Sequence, residues 1–288
     1  NAATFEFVYP PDGAFFNWND NVNYHFVVND VEDGSTSDGT ISCSSLNFIP
    51  SLGHLDHFHD DLAIHQCEGT LYLDPTDHDI EGQDDIFLVF NLNYTDNGGL
   101  TAYDQIKIYP KLQEAEFYDF HSNTDLISNS DNLGGGNYSV RALSHGSYIG
   151  LSGRNLLNIN SVVYRVSSSL GGVIEIHADS PDGTLLSIAQ VPVTGSTDDW
   201  VNIQAAVSDP GGKTDLYFVF KNNSGDVNLF DLNYIEFLGD GISTNDTPPD
   251  VSSINVESSN LISVKFNERM DKTSTETVSN YLIDKNVT

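Results

Sequence analysis

Hydrophobic and polar residues alternate over long stretches of the first hundred residues. The alternation is clearest at 22–28 and 86–94, where large apolar side chains recur at every second position. A period of two is typical of half-buried β-strands, and no helical periodicity competes with it. Turn sequences such as Pro10-Pro11-Asp12-Gly13 separate the runs. Residues 1–110 are therefore predicted to form an antiparallel, immunoglobulin-like β-sandwich.

Short strand-like runs continue through residues 111–238. They lie at 162–166, 172–178, 201–207 and 216–220, with turn sequences between them. This regular rhythm predicts a jelly-roll sandwich. The polar segment 120–136, rich in Asn, Ser and Gly, is predicted to be a long loop.

The pattern changes again after residue 238. Residues 239–250 (GDGISTNDTPPD) are predicted to be a linker, and residues 251–288 an incomplete third β module. Three amphipathic strands are predicted in that module, at 253–257, 261–266 and 280–283. The fold class expected for the chain is all-β, and the parent protein is expected to be longer.

The charge balance restricts the classes of partner. The chain has 42 acidic and 11 basic residues and a net charge of −31. Such a surface repels phosphate backbones and anionic membranes, which excludes nucleic acid, and it disfavours sulfated or uronate polymers. No apolar run approaches the ~18 residues of a membrane span. The acidity itself fits either solvation in a salty habitat or dedicated Ca²⁺ sites.

The two cysteines, Cys43 and Cys67, favour one disulfide and an oxidising, secreted setting. Closing a loop of this size would stabilise the fold by about 3 kcal/mol. Two buried free thiols are the alternative. A zinc thiolate site is disfavoured because no CxxC spacing occurs.

An acidic, histidine-rich segment occupies residues 41–85 and is interpreted as an insertion in the sandwich. His57 and His59 would point the same way on an extended strand, a spacing that can chelate Zn²⁺ or Cu²⁺. The alternative is a hydrogen-bonded, partly exposed loop held by the disulfide. Catalysis at this segment is disfavoured, because no nucleophile–base pairing is evident.

Three short motifs occur in order across residues 111–238. The segment opens with Gln113-Glu114-Ala115-Glu116-Phe117-Tyr118, contains Gly146-Ser147-Tyr148-Ile149-Gly150, and closes with residues 228–237 (NLFDLNYIEF). The segment resembles a family 6 carbohydrate-binding module. The resemblance implies a non-catalytic jelly roll that binds saccharides through loops at one edge.

The resemblance also implies individual site residues. Tyr148 would be the first sugar-stacking aromatic residue and Trp200 the second, with Asp231 accepting from sugar hydroxyls and Arg154 a nearby cation. The family often has a further Trp where this chain has Thr197. Trp200 could therefore be structural instead, and Tyr148 could cap the core.

A structural Ca²⁺ is the cofactor implied by the resemblance. Its ligands would be Glu114, Glu116 and Asn233. The family usually has Asp at the last position, so a neutral amide there predicts weaker binding. Simple exposed carboxylates are the alternative.

The flanking segments resemble other modules of secreted bacterial proteins. Residues 11–13, 29–34 and 95–102 resemble an immunoglobulin-like module of the polycystic-kidney-disease (PKD) type, and residues 264–271 resemble the opening half of a bacterial Ig-like domain. The leading hypothesis is a secreted, non-catalytic module that targets an enzyme in the same parent chain to polysaccharide. The alternative hypothesis is a Ca²⁺-stabilised stalk of a cell-surface adhesin.

Overall fold

A computed structural model describes residues 1–54, 57–73, 85–131, 133, 135–222, 224–244, 251–258 and 261–266. The described residues form β-strands, turns and two single-turn 3₁₀ helices, which confirms the predicted all-β fold class. The chain divides into two compact units, Asn1–Thr244 and Asn245–Thr288. No helix among the described residues has the length and apolar character needed to cross a bilayer.

The first part of the larger unit is a β-sandwich. Its strands are β1 (Thr4–Tyr9), β2 (Phe15–Phe16), β3 (Asn21–Asp30), β4 (Gly34–Ser35), β5 (Leu46–His54), β6 (His57–Asp60), β7 (Glu68–Tyr72), β8 (Ile86–Thr95) and β9 (Thr101–Pro110). One sheet has β3 between β1 and the pair β4 and β7, and the other has the order β2-β9-β8-β5-β6. The predicted alternation holds in β3, where Val22, Phe26 and Val28 are at most 1% exposed.

The histidine-rich segment is part of both sheets, not a loop inserted between strands. β5 pairs with β8 along its whole length, from Leu46↔Tyr94 to His54↔Ile86, and β7 pairs with β3. Leu46 and Phe48 are fully buried in the core. The sequence did not predict β5, because Pro50 and Gly53 interrupt its apolar pattern. Residues 55–56 and 74–84 lie outside the described part of the chain.

The predicted disulfide between Cys43 and Cys67 is confirmed. The Cα atoms of the two cysteines are 5.3 Å apart, and their separation in sequence is 24 residues. Cys67 packs in the core of the first sandwich. The bond therefore ties the segment before β5 to the start of β7.

Residues 112–239 form the second sandwich. Its strands are β10 (Leu112–Glu114), β11 (Phe120–Ser122), β12 (Thr124–Ser128), β13 (Tyr138–Ala142), β14 (Ser147–Asn155), β15 (Ile159–Ser167), β16 (Gly172–Ala178), β17 (Thr184–Val191), β18 (Val201–Ala206), β19 (Lys213–Lys221) and β20 (Phe230–Gly239). The order β11-β14-β19-β16-β17 defines the front sheet. The order β12-β13-β20-β15-β18, with β10 also paired to β20, defines the back sheet. β11 and β12 replace part of the loop predicted at 120–136.

The two sandwiches share their cores. Phe15, from the first sandwich, is fully buried in the second core, and its ring stacks on Phe237 at 4.1 Å between centroids. Ile242, which follows β20, is fully buried in the first core. The side chain of Tyr9 also donates a hydrogen bond to the carbonyl oxygen of Ile242 at 3.2 Å. At the boundary predicted at 110/111 the chain thus passes from the first sandwich to the second, but both sandwiches belong to one compact unit.

The predicted linker begins later than expected. Residues 239–244 belong to the larger unit, because the backbone N–H groups of Ile242 and Thr244 donate to the carbonyl oxygens of Phe15 and Asn21. The sequence 239–244 is rich in Gly and Asp, which is typical of a linker, but the burial of Ile242 holds this stretch on the larger unit. Residues 245–250 lie outside the described part of the chain.

The smaller unit contains one described hairpin. β21 (Val251–Ser258) and β22 (Leu261–Phe266) pair antiparallel, which matches the first two predicted strands of this region. The third predicted strand, 280–283, lies outside the described residues.

Candidate functional site

An aromatic patch lies on the outer face of the front sheet. Leu216, Phe218 and Phe220 of β19 point into the core, so the alternation of the strand places Tyr217 on the opposite face. Tyr148 of β14 contacts this ring edge-to-face at 5.4 Å between centroids. We call the patch of Phe120, Tyr148 and Tyr217 the front aromatic patch.

Phe120 completes the patch because Gly150 has no side chain. The two residues are register partners in β11 and β14, and the Phe120 ring lies over the glycine. A Cβ added to Gly150 would be 1.8 Å from that ring. The Phe120 ring reaches Tyr217 at 4.6 Å between centroids. All three rings of the patch are partly exposed.

A polar triad lies beside the aromatic rings. Lys221 Nζ is 2.6 Å and His177 Nε2 is 2.8 Å from the same oxygen, Oε2 of Glu175. Burial acts to raise the pKa of Glu175, but the hydrogen bonds from Lys221 and His177 outweigh it and hold the pKa below its ordinary value. Glu175 is therefore an ionised acceptor on the sheet face.

The registers of the front sheet place the triad and the aromatic patch in adjacent columns. Val219 of β19 pairs with Tyr148 on one side and with Glu175 on the other. The spacing of strands places the Cα atoms of Tyr148 and Glu175 about 10 Å apart. The apolar ring of Tyr148 and the charged carboxylate of Glu175 therefore lie on either side of Val219. This combination suits a ligand with an apolar face and hydroxyl groups at its edge.

Trp200 is positioned by the back sheet of the second sandwich. It precedes β18 of the back sheet, and its Nε1–H donates to Ser130 Oγ at 3.2 Å. Tyr148 belongs to the other sheet of the sandwich. The expected pairing of these two aromatic residues around one sugar therefore stays a prediction.

Asp231 is not the outward-facing acceptor that the sequence predicted. It is 1% exposed, and its two carboxylate oxygens accept from Arg141 Nε at 2.7 Å and Nη2 at 2.8 Å. β13 and β20 are neighbours in the back sheet, and the register pairs Arg141 with Asp231. Both oxygens of the carboxylate are used by this bidentate ion pair, which the local sequence motif does not show because Arg141 is 90 positions away.

Arg154 is also buried, at 2% exposure, and does not face a ligand. Its guanidinium carbon lies 3.5 Å from the centroid of the Tyr109 ring, where the two sandwiches meet. Nη1 is 3.6 Å from Asp119 Oδ2. Arg154 therefore joins the sandwiches, and the prediction of a sugar-binding role for it does not agree with this location.

Glu114 and Glu116 lie together, as the Ca²⁺ prediction requires. A Cβ added to Gly136 would be 2.7 Å from Glu116 Oε2 and 3.3 Å from Glu114 Oε2, so both carboxylates face one small space. Glu114 Oε2 is buried and has no hydrogen-bond partner among the described residues. Burial, with the nearby charges of Glu116 and Asp131, raises the pKa of Glu114 to about 7.

Asn233 anchors the neighbouring loop from the back sheet. Its Nδ2 donates to Leu133 O at 2.9 Å and to Asp131 Oδ2 at 3.1 Å. Its Oδ1 accepts from Asn129 Nδ2 at 2.8 Å. The acceptors around Nδ2 fix the orientation of the amide, because a flip would set oxygen against oxygen. Asn233 holds the loop that covers Glu114 and Glu116, and its Oδ1 already has a partner.

His57 and His59 lie on β6 of the first sandwich, with His54 of β5 close to both. These side chains are remote in sequence from the front aromatic patch and belong to the other sandwich. They are discussed separately below.

Comparison with known proteins finds a family match in the second sandwich. Residues 114–239 match the sequence model of the family described as carbohydrate binding module (family 6). This match confirms the predicted carbohydrate-binding module in this part of the chain. It does not cover the first sandwich or the hairpin of the smaller unit.

Individual relatives match over about half of the chain or less. The arabinoxylan arabinofuranohydrolase of Bacillus subtilis (strain 168) is 31% identical over 144 residues, which is 48% of this chain and 27% of the relative. This chain spans between 16% and 27% of the length of the curated relatives it matches.

Solved structures of isolated modules are also similar. A β-1,3-glucan binding module from Bacillus halodurans has 31% identity and a TM-score of 0.41, covering 44% of this chain and 93% of that one. A module from Clostridium cellulolyticum in complex with xylose has 32% identity and a TM-score of 0.40, covering 44% of this chain and 95% of that one.

Proposed function

We propose that the second sandwich binds a neutral, β-linked polysaccharide on the outer face of its front sheet. The observation that carries the proposal is the front aromatic patch beside the Glu175–Lys221–His177 triad. The family match supports carbohydrate as the ligand class.

The chemistry of a pyranose ring fits the two halves of this surface. Its axial C–H groups form an apolar face that packs on an aromatic plane such as Tyr148. Its equatorial hydroxyls donate to a carboxylate and accept from an ammonium group, which Glu175 and Lys221 provide. Oε1 of Glu175 has no hydrogen bond within the described residues, so it is available as an acceptor.

Electrostatics favours uncharged sugars. The net charge of −31 repels uronate and sulfated polymers at long range. The names of the similar proteins include arabinoxylan and β-1,3-glucan. They support a xylan or a β-glucan as the ligand of this chain.

Affinity electrophoresis of the full chain tests the proposal. We expect migration to be retarded in gels containing arabinoxylan or β-1,3-glucan, and to be unchanged in gels containing polygalacturonate. A variant in which Glu175 is replaced by Gln should migrate faster than wild type in the gel that retards wild type, because it loses the charged acceptor. Failure of both neutral polymers to retard the protein would refute the proposal.

A Ca²⁺ ion is proposed at Glu114 and Glu116. The buried, unpartnered Oε2 of Glu114 supports it, since an orphaned carboxylate oxygen beside a second carboxylate is the donor set that a hard cation prefers. When bound, the ion would neutralise both charges and hold β10 against the loop at 129–138. Asn233 would support this loop by its hydrogen bonds, rather than act as a free ligand.

The raised pKa of Glu114 gives this site a pH signature. The pKa of about 7 lies above the ordinary 4.5, so the folded state binds the proton more tightly than the unfolded state. The stabilisation of the folded state by the protonated Glu114 is fully present below pH 4.5 and is lost as the pH rises through 7. Without Ca²⁺, we expect this group to cost up to about 3 kcal/mol of unfolding free energy across that window. Saturating Ca²⁺ should restore it.

Urea denaturation of the full chain between pH 4.5 and 8, in EGTA or CaCl₂, measures this effect. The Glu114→Gln variant is the matched comparison, because it keeps the shape and removes the titration. We expect the variant to have a flatter pH dependence and a smaller response to Ca²⁺. Identical pH slopes and Ca²⁺ responses in both proteins would contradict the proposed site.

The role of the whole parent protein is proposed from the same observations. The second sandwich would hold an enzyme in the same chain, such as a glycoside hydrolase, near its polysaccharide, and would raise the local substrate concentration. The first sandwich would be a PKD-like spacer and residues 251–288 the start of an Ig-like domain. The Cys43–Cys67 disulfide supports a secreted location.

The burial of Phe15 in the second core favours a second, structural role. Two sandwiches with interlocked cores form a stiffer segment than two domains on a flexible linker. This observation supports a stalk-like function in a surface protein, and it is compatible with sugar binding on the front sheet of the second sandwich.

A further inference from the structure

A cluster of three histidines lies on the β5–β6 hairpin of the first sandwich. His54 and His57 are register partners at the end of the hairpin, so their side chains leave the same face. His59 follows His57 by two residues and therefore shares that face. One ligand nitrogen from each ring lies within 4.8 Å of the other two.

The distances in the cluster suit a single metal ion. The Nε2 atoms of His54 and His59 are 3.2 Å apart. Two imidazole nitrogens at 2.0–2.1 Å from a tetrahedral Zn²⁺ are separated by about 3.3 Å. The ring centroids are 4.0 Å apart for His54–His57 and 5.2 Å apart for the other two pairs. The three rings are therefore close enough for one nitrogen of each to reach a single ion by side-chain rotation.

The surroundings leave the cluster accessible to an ion. His57 and His59 are exposed, and β6 is a four-residue edge strand. The chain carries a net charge of −31, which raises the local concentration of cations. His54 is partly buried, and its Nδ1 has no hydrogen-bond partner among the described residues.

We propose that His54, His57 and His59 form a binding site for one divalent transition metal, Zn²⁺ or Cu²⁺. Imidazole nitrogen suits these ions, whereas Ca²⁺ and Mg²⁺ require oxygen ligands. Three protein nitrogens leave one coordination position to water. The ion would cross-link β6 to β5. The site is separate from the proposed Ca²⁺ site in composition, location and metal preference.

The competing explanation is a hydrogen bond between the His54 and His59 rings with no metal. Both explanations fit a distance of 3.2 Å between the two nitrogens. They differ in stoichiometry of metal binding, in the dependence on His57, and in the spectrum of bound Cu²⁺.

Isothermal titration of the full chain with CuCl₂ and ZnCl₂, in buffer containing excess CaCl₂, tests the site. We expect one ion per chain, tighter binding of Cu²⁺ than of Zn²⁺, and release by EDTA. The electron paramagnetic resonance spectrum of the Cu²⁺ complex should show coupling to several nitrogen nuclei. Each of the variants His57→Gln and His59→Gln should weaken binding at least about tenfold and reduce that coupling.

The matched control is His145→Gln. His145 is an exposed histidine of the second sandwich whose Nδ1 contacts the carbonyl oxygen of Asn222 at 2.9 Å. This variant should bind metal as the wild type does. Either of two results would overturn the proposal: no saturable binding of Cu²⁺ or Zn²⁺, or equal affinities in wild type and both cluster variants. Thermal unfolding of the metal-free variants verifies that each one is folded before its affinity is interpreted.

Discussion

Replacing Phe15 with alanine is expected to lower the free energy of unfolding by about 3 to 5 kcal/mol, the usual cost of removing a fully buried phenylalanine ring. Phe15 is 0% exposed and stacks on Phe237, although it belongs to the first sandwich in sequence. Its removal should therefore destabilise both sandwiches together. We expect one cooperative transition for residues 1–244 in wild type and in the variant.

The two tryptophans of the chain report separately on the two sandwiches. Trp18 contacts Phe16 in the first sandwich, and Trp200 precedes β18 in the second. Urea denaturation of the single-tryptophan variants Trp18→Phe and Trp200→Phe, each with and without Phe15→Ala, measures both transitions by fluorescence. Coincident midpoints that shift together are the expected result. If Phe15→Ala shifted only one of the two midpoints, the sandwiches would be independent domains.

The fold was predictable where apolar residues alternate without interruption. β3 alternates strictly enough that its buried face follows from the sequence alone. β5 was missed because Pro50 and Gly53 break its pattern, although nine residues of it pair with β8. The contribution of Phe15 to the second core could not be predicted, because nothing local distinguishes it from a residue of the first core.

The proposed binding surface was only partly predictable. Tyr148 was found through a motif, but its partners required the registers of the front sheet. Alternation within 172–178 does place Glu175 opposite the core residues, and this signal could have been used. Residues 216–220 are all apolar or aromatic, so the sequence does not show which face Tyr217 occupies. Phe120 was not predicted as part of the surface, because its segment was interpreted as a loop. Asp231 was misplaced because its ion pair with Arg141 connects residues 90 positions apart.

Replacing Tyr148 with alanine is expected to weaken polysaccharide binding by about tenfold or more. The ring provides the apolar plane on one side of the proposed surface, and truncation of an aromatic contact residue commonly costs more than about 1 kcal/mol of binding energy. The same change removes the edge-to-face contact with Tyr217, so the plane of that ring is also less well held. Stability should fall less than in Phe15→Ala, because Tyr148 is partly exposed.

Tyr103→Ala is a matched control for the loss of a surface tyrosine. Tyr103 lies on β9 of the first sandwich and is 75% exposed. Its replacement should leave binding unchanged. A loss of binding in this variant equal to the loss in Tyr148→Ala would show that the effect is not specific to the front sheet.

Isothermal titration of wild type, Tyr148→Ala and Trp200→Ala with the same neutral oligosaccharide is the most direct measurement of where the sugar binds. The front-sheet site predicts a large loss of affinity in Tyr148→Ala and an affinity within about twofold of wild type in Trp200→Ala. Retained affinity in Tyr148→Ala, together with loss in Trp200→Ala, would contradict it and would place the ligand at the loop edge beside the back sheet.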